Sequence, residues 1–270
     1  MTQALKLEIT ESEIRRLAKK HLETSNLLVI AMRQAFTEYK LRLRKGLSFR
    51  FGLNEKAREA YVAMTEKEFE GINARQQWAN WRTIPRNMNG RVPRRPIQAL
   101  DLCCGIGHST EVLFAHLSKG STILGLEFNP TFVALAEKRS SSFSQDSEPK
   151  TTIAFRAQSV LDPFCDKSGR MIDSDTIDLV NSCGAIGNHF DAEKTAVVAK
   201  EVARVLRPGG IALIDSGNAG TSTDVLISIF SKLNFDVLSR NKSCVIDLYT
   251  QVCFQKRKSA DTPKSLRASK

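Results

Sequence analysis

The sequence predicts a doubly wound α/β fold: a seven-stranded, mostly parallel sheet with a reversed last strand, preceded by a helical segment. Three observations predict it. From residue 97 onward, short apolar runs alternate with helical stretches, the pattern of a parallel sheet covered on both faces. A glycine-rich turn follows the first of these runs and opens a helix. The last two runs stand too close together for a crossover, which forces them antiparallel.

Residues 1–96 read as helical. Thr10 and Glu13 have the spacing of a capping box, and Ile14, Leu17, Ala18, His21 and Leu22 then recur on one face. A second helix spans 26–45, apolar first and basic at its end, where cations suit the helix dipole, and Gly46 follows as a stop. A third helical region covers 54–81, with another box at Thr65 and Glu68. TIPRNMNGRVPRRP then breaks the periodicity and reads as a linker into the main domain, residues 97–254. That domain supplies the strands IQALDL, TILGLE, TIAFRA, TIDLVNS and GIALID. FDVLSR and CVIDLYTQVCFQ follow, joined through 241–243. Residues 255–270 form a polar, basic tail predicted to be disordered.

The net charge of +11 is uneven along the chain. Residues 1–96 hold 20 basic and 10 acidic side chains, 97–254 hold 14 and 18, and 255–270 hold 6 and 1, so the excess lies outside the main domain. Such an arm and tail can meet phosphates, an anionic membrane face or an acidic substrate, or simply be solvated. The longest apolar run, LLVIAM from Leu27, is too short to span a bilayer, and the N-terminus lacks the h-region of a secretory signal. A cytoplasmic location is expected. Cys103, Cys104, Cys165, Cys183, Cys244 and Cys253 show no metal spacing and read as reduced thiols, with Cys103 and Cys104 pointing to opposite faces.

ALDLCCGIGHST, residues 99–110, carries the chemistry. Gly105 and Gly107 permit a tight turn and close approach of a ligand to backbone, and the helix that follows offers unpaired N–H groups. Asp101 precedes the turn. Glu127 ends the next strand, where an acid accepts hydrogen bonds from ribose hydroxyls. Together these predict an adenosine-type ligand.

DLCCGIGHST resembles the first motif of class I S-adenosylmethionine-dependent methyltransferases. GLEFNP is similar to their second motif, TIDLVNSCGAIGNHF to their fourth strand and its loop, and EVARVLRPGGIALID to the helix, turn and fifth strand beyond. The resemblance covers about residues 97–254 and includes the reversed final strand. It implies S-adenosyl-L-methionine as cofactor. Asp101, Cys103, Gly105 and Gly107 would hold the methionine end, with Asp101 reaching the ammonium directly or through water. Glu127 would hold the ribose, flanked by Phe128, and Gln158 and Ser159 would meet the adenine. Gln158 stands where the family usually has Asp, and its carbonyl can still accept from the adenine amine. Cys103 replaces the usual first glycine. Asn181, also expected to hold the cofactor, Cys183, Asn188 and His189 follow the fourth strand beside the transferable methyl; His189 is the candidate base, with a wall role as its alternative.

Methyl transfer to a small molecule is the expected activity, with a specialised metabolite, a quinone or an isoprenoid-like lipid as acceptor. An RNA or protein methyltransferase docking through the basic arm, or a binding module without activity, is the alternative. Cys183 lacks the Pro-Cys pair of cytosine-5 enzymes and reads as a packing thiol. Trp78 and Trp81, three apart, read as core or as a stacking surface. Residues 1–96 are expected to form a lid that selects the acceptor, with Phe36, Phe49, Phe51 and Tyr61 enclosing an apolar molecule.

Overall fold

The computed structural model describes residues 5–24, 26–45, 55–143, 151–217, 219–244 and 249–258. Gly46, Phe49, Phe51 and the tail beyond 258 lie outside the described residues. Strands β1 (Gln98–Leu102), β2 (Thr122–Glu127), β3 (Thr152–Ala157), β4 (Ile177–Ser182), β5 (Leu206–Ser216), β6 (Phe235–Asn241) and β7 (Thr250–Lys256) form one sheet in the order β3-β2-β1-β4-β5-β7-β6. The first five are mutually parallel, and β7 runs antiparallel to both β5 and β6. The predicted doubly wound sheet with its reversed last strand is therefore the observed one.

Period-two alternation sends strand residues to two faces. Leu100, Leu102, Leu124, Leu126 and Val180 pack on one side against Val198 and Val202 of α9 (Ala192–Val205) and Leu226 and Phe230 of α10 (Thr223–Lys232). Ala99, Ile123, Leu179, Ile211 and Leu213 pack on the other, against Leu113 of α6 (His108–His116), Ile84 and Met88 of α5 (Ala74–Met88) and Leu17 of α1 (Glu11–His21). Burying each such side chain contributes roughly 1.5–3 kcal/mol.

The first 96 residues thus do two different things. Helices α1 and α5 cover the sheet. Outside them, α2 (Leu27–Lys45), α3 (Glu55–Val62) and α4 (Glu66–Ile72) gather Leu41, Met64, Phe69 and Ile72 onto Ile106 of the glycine turn and Phe132 of α7 (Pro130–Phe143). At α4 both halves of the predicted box form: Thr65 N–H donates to Glu68 Oε2 at 2.9 Å and Glu68 N–H to Thr65 Oγ1 at 3.3 Å. At α1 the Thr10 hydroxyl accepts from Glu13 N–H at 3.2 Å.

Several boundaries differ from expectation. The single helical region over 54–81 is three helices, and the segment read as a linker is helical through Met88 despite Pro85. Ile84, Asn87 and Met88, all fully buried, pin that last turn beneath the sheet, and packing overrides the local breaker. β5 runs straight from α9 through Pro208–Gly209–Gly210, accommodated by a register shift against β4. β7 starts at Thr250 rather than at Cys244, because its pairing partner β5 ends at Ser216, opposite Thr250. It also continues to Lys256, past the expected start of the tail; the Lys256 ammonium donates to the carbonyls of Ala203 and Leu206 at 2.6 and 2.7 Å. All six cysteines are free, and Cys103 and Cys104 enter different packing clusters. Trp78 and Trp81 are core: Arg82 lies over the Trp78 ring at 3.6 Å, and His21 stacks on Trp81 at 4.6 Å.

Candidate active site

The carboxyl ends of β1 to β4 and the helices α3, α4 and α5 surround a cavity of about 540 Å³. Its floor is the turn after β1. Cys103 and Gly105 there adopt positive φ of 54° and 56°. A Cβ on Gly105 would lie 2.6 Å from the Phe69 ring, so only glycine lets α4 close on the turn. Gly107, φ 86°, is the N-cap of α6.

Glu127 lies at the end of β2 and faces the cavity. Its Oε2 accepts from Gly105 N–H and its Oε1 from Asn129 N–H, each at 3.0 Å. Burial nevertheless pushes its carboxyl up to about 7. Asp101 is deeper. Its Oδ2 accepts from Ser109 Oγ at 2.7 Å and Thr110 Oγ1 at 2.6 Å, and its Oδ1 from Asn181 Nδ2 at 2.8 Å. Asp101, Asn181 and Gly107 do not line the cavity. They lie beneath its floor, where Asp101 and Asn181 tie β1, β4 and α6 together. Cys103, Gly105, Glu127, Phe128, Gln158, Ser159 and His189 do line it.

Gln158 lines the cavity and is also tied into the loop after β3. Its carbonyl already accepts from Arg156 Nε at 3.1 Å and Cys165 N–H at 3.2 Å, while its amide donates to the Pro163 carbonyl at 2.6 Å. Both lone pairs are thus engaged within the chain, and the side chain braces the loop after β3.

His189 ends the short helix α8 (Ile186–His189), whose amide at Gly187 donates to the Asp215 carboxylate at 3.1 Å. Burial lowers its imidazole to about 4, so it is neutral at pH 7. Burial likewise pushes the Tyr61 phenol, which stacks against Phe128 with ring centroids 5.7 Å apart, well above its ordinary value. The Cys183 thiol is pushed well up too and accepts from Gln251 Nε2 at 2.9 Å, a packing thiol and not a thiolate.

Sequence reasoning missed one wall. Asn73, Gln76, Gln77 and Asn80 recur at i, i+3, i+4 and i+7 along α5 and all line the cavity. Gln76 Nε2 donates to Asn80 Oδ1 at 2.7 Å, and Gln77 Nε2 to the His108 imidazole at 2.9 Å. Burial lowers His108 well below its usual value, which suits its accepting role. The helical spacing of the four carboxamides was the available signal. Lys194, in the first turn of α9, was also missed. Among the described residues no group of three His, Cys, Asp or Glu side chains is placed to hold a metal.

Residues 99–210 match the family described as "Methyltransferase domain". A curated demethylmenaquinone methyltransferase from Lactobacillus johnsonii is 32% identical over 114 residues, 42% of this chain and 40% of the relative; the match thus spans about two fifths of that protein's length. Among solved structures, a chain of the complex between the Haloferax volcanii Trm112 methyltransferase activator and a methyltransferase is similar with a TM-score of 0.55 at 17% identity, over 74% of this chain and 97% of that one. A TehB-like S-adenosylmethionine-dependent methyltransferase from Corynebacterium glutamicum gives 0.47 at 18% identity, over 64% and 86%. The fold and the turn are those of a nucleotide-binding α/β domain. Residues 99–210 thus carry a methyltransferase domain, which implies S-adenosylmethionine as its cofactor.

Proposed function

We propose that the protein transfers a methyl group to an apolar small molecule held between the glycine turn and helices α3–α5, with isoprenoid quinones and related ring compounds as the acceptor class. One observation carries this reading: the cavity's walls are the aromatic rings of Tyr61, Phe69, Phe128 and Phe190 together with carboxamides, and Lys194 is the single Lys or Arg among its described lining residues. A site for nucleic acid would set several cations toward phosphates. The demethylmenaquinone methyltransferase relative supports a quinone-like acceptor.

The residues present fit the cofactor. Each Glu127 oxygen uses one lone pair on a backbone N–H, and a carboxylate has about four, so each can accept one ribose hydroxyl. Gly105 brings backbone to the cavity with no side chain between. Asp101 holds the turn in place from below, and Phe128 and Tyr61 offer stacked faces. The bound cofactor supplies an electrophilic methyl on a sulfonium, which leaves the protein to position the acceptor and exclude water. Where the acceptor presents a hydroxyl, as a quinol or a phenol does, His189, neutral at pH 7, would accept its hydrogen bond and would take the proton if that oxygen receives the methyl.

Transfer of isotopically labelled methyl to a panel of quinols and prenylated phenols, run beside total RNA, tests the proposal. Label is expected in the organic extract; label confined to RNA would replace the small molecule with a polymer. His189→Gln is expected to bind cofactor as the parent does, by calorimetry, and to lose transfer by about a hundredfold. Normal turnover in that variant would leave His189 a wall residue.

A further inference from the structure

The basic excess of the N-terminal segment has a particular location on α2. This helix turns Ile30 and Leu41 inward, sets Thr37 against Gly71 of α4, and has Gln34 Oε1 accepting from Arg75 N–H on α5 at 3.2 Å. Leu28, Met32, Phe36, Tyr39 and Leu43 lie on the opposite side, each 58–69% exposed. At 100° per residue these five fall within an arc of about 80°, one continuous stripe along the helix. An exposed apolar stripe of this length marks an interaction surface.

Charge indicates the cover. Lys40 and Arg44 border one edge of the stripe and Arg42 the other, all exposed, with Arg33 alongside in an ion pair with Glu23; Glu38, the only carboxylate of α2, points away and accepts from Gln34 Nε2 at 2.9 Å. The Lys40 ammonium sits over the Phe36 ring, 4.2 Å from its centroid, so cation and apolar surface are interleaved. We infer that this face of α2 docks on an anionic lipid bilayer surface, the stripe entering the boundary between headgroups and acyl chains and the bordering cations meeting lipid phosphates. A second copy of the chain suits the face less well, since it would bring a net charge of +11 against another +11 and cations against cations.

The geometry also gives docking a use. α2 packs on α4 and α5, whose residues wall the cavity, so the docked face brings the cavity to the phase in which an apolar acceptor dissolves. Only this last step rests on the acceptor class proposed above.

The test is flotation of the full chain, without acceptor, on vesicles of phosphatidylcholine containing one third phosphatidylglycerol and on phosphatidylcholine alone. The chain is expected to float with the anionic vesicles and to be released by high salt. Met32→Asp/Phe36→Asp is expected to lower the bound fraction about tenfold or more, and Lys40→Glu/Arg44→Glu to abolish the preference for anionic lipid. Both variants should keep the parent's melting temperature and S-adenosylmethionine affinity. No flotation of the parent would overturn the inference, as would equal flotation of the Met32/Phe36 variant. A parent dimer that this variant dissociates would assign the stripe to a second copy instead. If flotation holds and the quinol panel fails, only the acceptor class falls; the reverse result sinks docking alone.

Discussion

Glu127 and Asp101 are buried carboxylates on adjacent strands, and their partners give them different work. Asp101 receives three side-chain donors and is structural. Glu127 receives backbone donors and keeps acceptor capacity toward the cavity. Its titration makes that difference measurable. Unfolded, the carboxyl has its ordinary value of 4.5; folded, it is raised to about 7. Between these values the folded state holds more protons, so cofactor-free stability falls as pH rises through the window. At about 1.4 kcal/mol per pH unit the full cost is about 3 kcal/mol above pH 7. Glu127→Gln removes the charge, so its stability relative to the parent, by urea unfolding, should rise by about that amount between pH 4.5 and 8. A flat difference would refute the buried charge. Cys103 makes a second residue-scale case. A residue with a Cβ at φ 54° is strained by roughly 1–2 kcal/mol, a cost that the usual glycine avoids. Cys103→Gly should therefore remain within about 1 kcal/mol of the parent, while a β-branched Val should lose about 2 kcal/mol or more. Equal stability of the two variants would remove strain from the account.

Between elements, polar side chains form one buried chain across the sheet. Ser239 and Asn241 of β6 donate to Asn87 Oδ1 of α5; Asn87 Nδ2 donates to Gln251 Oε1 of β7 at 2.8 Å; Gln251 Nε2 donates to Asn181 Oδ1 of β4 at 3.3 Å; and Asn181 donates to Asp101. The reversed strand is thereby hydrogen-bonded to the floor of the cavity. Gln251→Leu keeps the size and strands donors and acceptors on both sides, so it should lose about 2–4 kcal/mol in urea unfolding, one to two unmet buried groups. A loss under about 0.5 kcal/mol would mean that water or a rearranged amide replaces the link.

Across the whole molecule, what was legible in the sequence is what is local. The strands β1 to β4 follow from short apolar runs and turn chemistry, and the capping box at Thr65 and Glu68 from four adjacent residues. The cavity-facing place of Glu127 follows from its distance after the glycine turn. What was not legible depends on partners far along the chain. The hydrogen bond to Asp101 from Asn181, 80 positions later, has no local signal. Nor has the one to Gln158 from the backbone of Cys165. Pro85 looks like a helix end until the sheet holds Ile84 and Met88 in place.

Helix α5 faces two ways, with Ile84, Asn87 and Met88 under the sheet and Asn73, Gln76, Gln77 and Asn80 along the cavity. On the proposed reading, the surface that chooses the acceptor is therefore not a detachable module. Swapping the segment for that of a relative would strip the foundations of the domain along with its selectivity. On that reading, a new acceptor is reached by replacing the carboxamides of this one face, one at a time, while the buried face stays as it is.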